Sequence, residues 1–228
     1  SEMCIRDSSY CASQYLGANL PPKDWLEISA LFTYGGRSRD VFHCPEDKYY
    51  GISKKEGWPE RIRSYSINIY AGGWSGWPFY GDQMWKIYRQ QSDFRDPAMR
   101  FVLMDMDDES INAGNYRVDM AGWPNKPQMH RFWQDYPGVY HNDATMFSFA
   151  DGHCEKKRWL DERTKNPPEN PDRTIPNRVI STPNNSDVYW MQERTTRVEN
   201  PKRKYVGPGY AYTARLAGWE HHGYWANE

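Results

Sequence analysis

The stretch Ala144-Thr145-Met146-Phe147-Ser148-Phe149-Ala150-Asp151-Gly152-His153-Cys154-Glu155-Lys156-Lys157-Arg158-Trp159 decides the fold. Its first seven residues read as a strand with Phe147 and Phe149 on one face, since side chains alternate across a sheet. Asp151-Gly152 suits a type I′ hairpin, in which both central residues take positive φ. His153 to Trp159 then returns as the partner strand. Upstream, Arg63 to Tyr70 sets Tyr65, Ile67 and Ile69 against Ser64, Ser66 and Asn68, a half-buried strand. Arg100 to Met106 is an apolar strand running into acids.

Helical spacing occurs in three places. Trp25, Ile28, Leu31 and Phe32 predict a helix over Pro21 to Tyr34, opened by Pro and stopped at Gly35-Gly36. Asp82 to Gln91 reads as a short helix with Met84, Trp85, Ile87 and Tyr88. Ser186 is the expected cap of a last helix through Val188, Trp190 and Met191. Cys44-Pro45-Glu46-Asp47 reads as a turn, and Gly72–Gly81, Asn112–Gly138 and Asn166–Asn185 as loops. Strands separated by single helices, with a hairpin near the end, predict an α+β fold with an antiparallel sheet and a few short helices.

The composition agrees with one domain plus extensions, or at most two small domains, in 228 residues. Leu, Ile, Val and Phe make up only 33 of them, yet aromatic residues reach 16%. Rings bury roughly 150–250 Å² each, so an aromatic core can replace the scarce aliphatics. With 29 basic and 30 acidic residues no global field attracts nucleic acid or acidic lipid. Lys156-Lys157-Arg158 and Lys202-Arg203-Lys204 are short runs, read as solvated faces. No stretch approaches the roughly 18–20 apolar residues of a membrane span.

Met3-Cys4-Ile5-Arg6-Asp7-Ser8 reads as the translation of a transposase end sequence used in sequencing libraries, so residues 1–8 are set aside. Cys11, Cys44 and Cys154 remain, without a CxxC pair. A thiolate zinc site is therefore not expected from spacing. A disulfide such as Cys11 with Cys44, or three free thiols, both stay open.

His141 precedes Asp151-Gly152 by nine intervening residues. This pattern resembles the bacterial family described as carrying a prepilin-type processing-associated H-X9-DG domain. Further segments resemble the same family in the same order: Phe42-His43-Cys44-Pro45-Glu46-Asp47, Ser64-Tyr65-Ser66-Ile67-Asn68 and Phe101-Val102-Leu103-Met104-Asp105. After the motif come Trp159-Leu160-Asp161-Glu162-Arg163-Thr164 and Asp187 to Thr196. The likeness covers roughly residues 42–196. It implies a pilin- or pseudopilin-like head domain, non-enzymatic, serving type II secretion or surface filament assembly. It also implies an N-terminal hydrophobic helix anchoring the protein in the inner membrane, an extracytoplasmic head, and other pseudopilin or secretion subunits as partners. The expected layout is an artefact at 1–8, a head domain over 9–197 and a Gly/Tyr/Trp-rich extension over 198–228.

Chemistry in the motif is the next question. In one extended strand His141 and Asp151 would stand about 33 Å apart. They could share a site only if the chain folded back, for instance at Asn142-Asp143. The simpler reading gives them separate structural tasks: Asp151-Gly152 makes a hairpin, and His141 ends the preceding loop with a hydrogen bond. The sharper one is a metal or catalytic site of His141, Asp151 and His153. Asp105, Asp107, Asp108 and Glu109 invite calcium, as in the loops of the major pseudopilins that the family resembles. The cluster lacks EF-hand spacing, and a solvated turn-capping role competes. Trp74, Trp77 and Tyr80 could stack on sugars, which makes an extracellular glycan-binding module the main rival function; a metal-dependent hydrolase is a third. No GxSxG, HExxH or phosphate-loop pattern is present. No cofactor is expected beyond that calcium ion.

Overall fold

A computed structural model of the chain describes residues 30–47, 63–72, 85–107, 110–111, 114–133, 135–166 and 179–199. Helix α1 (Ala30–Tyr34) ends as the glycines predict. Gly36 takes φ +68°, and Arg37 N–H reaches back to the Phe32 carbonyl, closing the last turn. The rest of the expected first helix, 21–29, lies outside the described residues.

Strands β1 (Tyr65–Asn68), β2 (Phe101–Asp105), β3 (Asn115–Tyr116), β5 (Ala144–Phe149) and β6 (Cys154–Arg158) form one sheet in the order β3-β1-β2-β5-β6. β4 (Arg131–Trp133) and β7 (Val179–Ser181) make a separate two-stranded ladder. The main sheet is antiparallel except at its edge, where β3 runs parallel to β1. The fold is thus α+β, with a five-stranded sheet and few, short helices among the described residues.

The β5–β6 hairpin forms, but its turn differs from expectation. Phe149 N–H bonds to the His153 carbonyl and Gly152 N–H to the Phe149 carbonyl, leaving a three-residue loop. Only Gly152 is left-handed there (φ +94°), so this is a turn closed by a glycine bulge rather than type I′. The pair of consecutive left-handed residues lies instead at Asn142 and Asp143 (φ 57° and 56°), where His141 N–H meets the Ala144 carbonyl. Loop length, set by the register of Ser148 opposite Cys154, decides which turn each site adopts.

The short helix expected over Asp82–Gln91 is a correction. Trp85 bridges Val198 and Tyr88 bridges Ala71 in extended form. Lys86 N–H bonds to the Arg197 carbonyl, and Tyr88 exchanges bonds with Tyr70 and Gly72. These tertiary partners satisfy the backbone of the buried Trp85, Ile87 and Tyr88 in place of a helix, and residues 82–84 lie outside the described residues.

Rings fill the core. Phe147 sits edge-on to Phe101, Trp159 and Trp190, with centroids 5.2, 6.0 and 5.1 Å away. The Trp159 indole N–H donates to Thr145 Oγ1 at 2.8 Å. Among the buried polar groups, Asn68 joins three elements: its amide donates to the carbonyls of Phe101 and Thr195, both at 2.9 Å, and Thr195 Oγ1 donates back.

Helix α2 (Glu162–Lys165) is a single turn capped by Asp161. Helix α3 (Ser186–Thr195) is capped by Asn185, one residue before the predicted cap, whose side-chain oxygen accepts from the Asp187 and Val188 N–H groups. Asp187, wholly buried, accepts from Leu160 N–H at 2.9 Å, Asp161 N–H at 2.8 Å and Lys157 Nζ at 3.2 Å. It ties α3 to the chain leaving β6. No helix among the described residues is long and apolar enough to cross a membrane.

Candidate functional site

Four separate stretches converge at one end of the sheet. After a short 3-10 turn over Asp40–Phe42, the Cys44–Asp47 turn closes with Asp47 N–H on the Cys44 carbonyl. Ser64, just before β1, holds this turn: its hydroxyl accepts from Cys44 N–H at 3.0 Å and donates to Asp47 Oδ2 at 2.5 Å. Next in the chain, Tyr65 stands opposite Asp105 in the β1–β2 register. Asp105 ends β2 and points its carboxylate across to β5, where Oδ2 accepts from Met146 N–H at 2.9 Å. The turn at Asn142-Asp143 swings His141 onto the same spot.

There the His141 ring nitrogen Nε2 lies 3.2 Å from Asp105 Oδ2 and 3.5 Å from Cys44 Sγ. Cys44 and Asp105 are 2% and 0% exposed, whereas the His141 side chain is 21% exposed. Burial raises the Cys44 thiol above its usual range, which keeps it protonated near neutrality. Burial likewise lifts Asp105 to about 6, against the stabilising Met146 N–H bond and the nearby His141. Tyr65, half-buried beside Cys44 and Asp105 and hydrogen-bonded to the Cys44 thiol, is pushed up to about 12, chiefly by its desolvation. Acid and thiol both face one ring nitrogen. In a nucleophile–base–acid relay they would occupy opposite nitrogens, so this is a convergent donor set rather than a relay.

The other sequence-derived candidates distribute as follows. Asp151 and His153 pair with each other at the exposed hairpin tip, Oδ1 to Nδ1 at 2.6 Å, which holds the Asp151 carboxyl below its ordinary value. The six residues of β5, roughly 20 Å of strand, separate them from His141. His141, Asp151 and His153 are therefore not brought together; the fold-back at Asn142-Asp143 delivers His141 to Asp105. Gly152 supplies the left-handed position of the loop. Asp107 is half-buried, and its N–H bonds to the Tyr136 carbonyl. Asp108 and Glu109 lie outside the described residues, as do Trp74, Trp77 and Tyr80. Cys44 and Cys154 are free thiols, the first buried and the second exposed; Cys11 lies outside the described residues.

Cys44, Asp47, Ser64 and Tyr65 carry no site role by spacing alone. What brings them to the site is tertiary: Ser64 holds the Cys44–Asp47 turn, and the β1–β2 register sets Tyr65 opposite Asp105. No known protein family, curated protein or solved structure matches the chain.

Proposed function

We propose that this chain forms the head of a prepilin-type, pseudopilin-like protein, displayed outside the cytoplasm from a membrane helix and serving secretion or filament assembly through protein contacts. One observation supports this reading. The segments that resemble the H-X9-DG family are stitched directly to one another. Cys44 bonds to Ser64, Tyr65 pairs with Asp105, and Asp105 holds both His141 and β5. Asp187 then ties the last segment to Leu160 and Asp161. These segments thus share one bonded frame, as a single head domain requires. The head's partners on this reading are other pseudopilin or secretion-system subunits.

The test is the reading frame upstream of residue 9 in the source genome. A prepilin-peptidase site followed by an apolar helix of about 20 residues is expected there. An upstream frame that encodes a different domain, or a stop codon, ends the filament reading.

A further inference from the structure

The geometry points to a binding site for one borderline-soft divalent transition-metal ion, of the zinc class, held by Cys44 Sγ, Asp105 carboxylate and His141 Nε2. The three donor atoms lie within 4.8 Å of one another. Zinc bonds of about 2.3 Å to sulfur and 2.0–2.1 Å to nitrogen or oxygen give tetrahedral edges of about 3.5 Å for S···N and about 3.3 Å for N···O. The separations found are 3.5 and 3.2 Å. The two edges that meet at Nε2 thus already have the lengths of a coordination shell, and the third, from Sγ to the carboxylate, lies within 4.8 Å.

Hydrogen bonding alone accounts poorly for the arrangement. A ring nitrogen has one in-plane direction, carrying either a proton or a lone pair. Nε2 can donate to Asp105 or accept from Cys44, and it faces both. A cation on that nitrogen satisfies all three groups at once. A second, separate observation concerns Asp105: its other oxygen, Oδ1, is fully buried and has no hydrogen-bond partner. Such orphans call for an explanation, and a carboxylate that chelates through both oxygens provides one. The donor set also selects the ion. Thiolate and imidazole suit zinc and its neighbours, whereas calcium takes oxygen alone. His141, partly exposed, marks the side from which an ion enters. The site would clip the Cys44–Asp47 turn and the His141 turn to the end of β2. This inference stands on the described geometry and does not depend on the displayed-head reading.

The test is titration of the tag-free 228-residue chain, thiols reduced, with Co2+ as spectroscopic probe and Zn2+ as competitor. One equivalent of Co2+ is expected to give a sulfur-to-cobalt charge-transfer band and intense four-coordinate visible bands, both bleached by one equivalent of Zn2+. The bands should persist in Cys154→Ser and be lost in Cys44→Ser, with His141→Gln weakening binding at least tenfold. Since core variants risk misfolding, 113Cd NMR of the unaltered chain adds an independent readout: a single resonance shifted as for one thiolate and coupled to one cysteine. No charge-transfer band in the unaltered chain, bands that survive Cys44→Ser, or a cadmium signal without thiolate ligation would each overturn the site.

Discussion

Replacing Asp187 by Ala should be among the most damaging single changes outside the aromatic core. The carboxylate is wholly buried, with two backbone N–H groups and one ammonium bonded to it. Hydrogen bonds to a charged group contribute about 1.5–3 kcal/mol each, and a carboxylate in the first helical turn adds about 0.3–1 kcal/mol through the helix dipole. Part of the loss is recovered. The Lys157 side chain is 13% exposed and can turn to water, and Leu160 is 68% exposed, so solvent can reach its N–H. The net cost is therefore set at about 3 kcal/mol, the lower end for removing one member of a buried pair. For a chain of this size that lowers Tm by about 6–12 °C. Asp187→Asn keeps an acceptor oxygen without the charge and should lose about half as much. Guanidinium unfolding at pH 7, followed by tryptophan fluorescence and circular dichroism, measures both. Unchanged slope with a shifted midpoint is required for the comparison to hold. If Asp187→Ala unfolds within 1 kcal/mol of the parent, the joint between α3 and the end of β6 does not bear on stability, and the reasoning is wrong.

Other expectations concern the turns, the core and pH. Gly152→Ala meets nothing within 4 Å, so its cost is conformational alone, about 1–2 kcal/mol for a left-handed L residue, read as a shift in urea midpoint. Asp143→Gly relieves the same kind of strain at φ 56° and should stabilise by about 0.5–1 kcal/mol after the extra entropy of glycine; a loss of stability would contradict the turn geometry. Trp159→Phe removes the donor to Thr145 and leaves a void, costing about 2 kcal/mol by the same unfolding assay. His130, 2% exposed, donates through Nδ1–H to the Asn185 carbonyl, which fixes that nitrogen as the protonated one, and burial lowers its pKa from 6.5. Its contribution is complete above about 6.5 and is lost as pH falls from there through the folded value, because the unfolded chain takes the proton first. Tm against pH in chelator should therefore decline below 6.5 more steeply for the parent than for His130→Asn; parallel curves would clear His130 of the effect.

The long strands could be read from the chain because their pattern is local. Phe147 and Phe149 alternate with polar residues, and β1 and β2 carry comparable signals. β3, β4 and β7 are two or three residues long, too short for any period, and exist only because a neighbour supplies the hydrogen bonds. Residues 85–88 show the opposite failure: apolar spacing fits a helix, yet pairing with Ala71 and Val198 wins. For the site, Asp105 and His141 stand out as polar residues at the ends of apolar stretches. The Asn142-Asp143 turn is marked locally, since Asn and Asp tolerate the left-handed region, but the Tyr65–Asp105 register that brings Cys44 to the same place leaves no mark in local sequence.

Asn68 has a consequence for the order of events during synthesis. Its amide is satisfied only when Phe101 and Thr195 are both in place, and Thr195 is 127 residues further along. A chain that has emerged through β6 can assemble most of the sheet, but it keeps a buried-to-be polar group without its last partner, at a cost of about 1–3 kcal/mol. The sheet therefore gains its final stability in one late step, when α3 arrives. Until then the sheet lacks that contribution, and the partly made chain opens more readily to a protease.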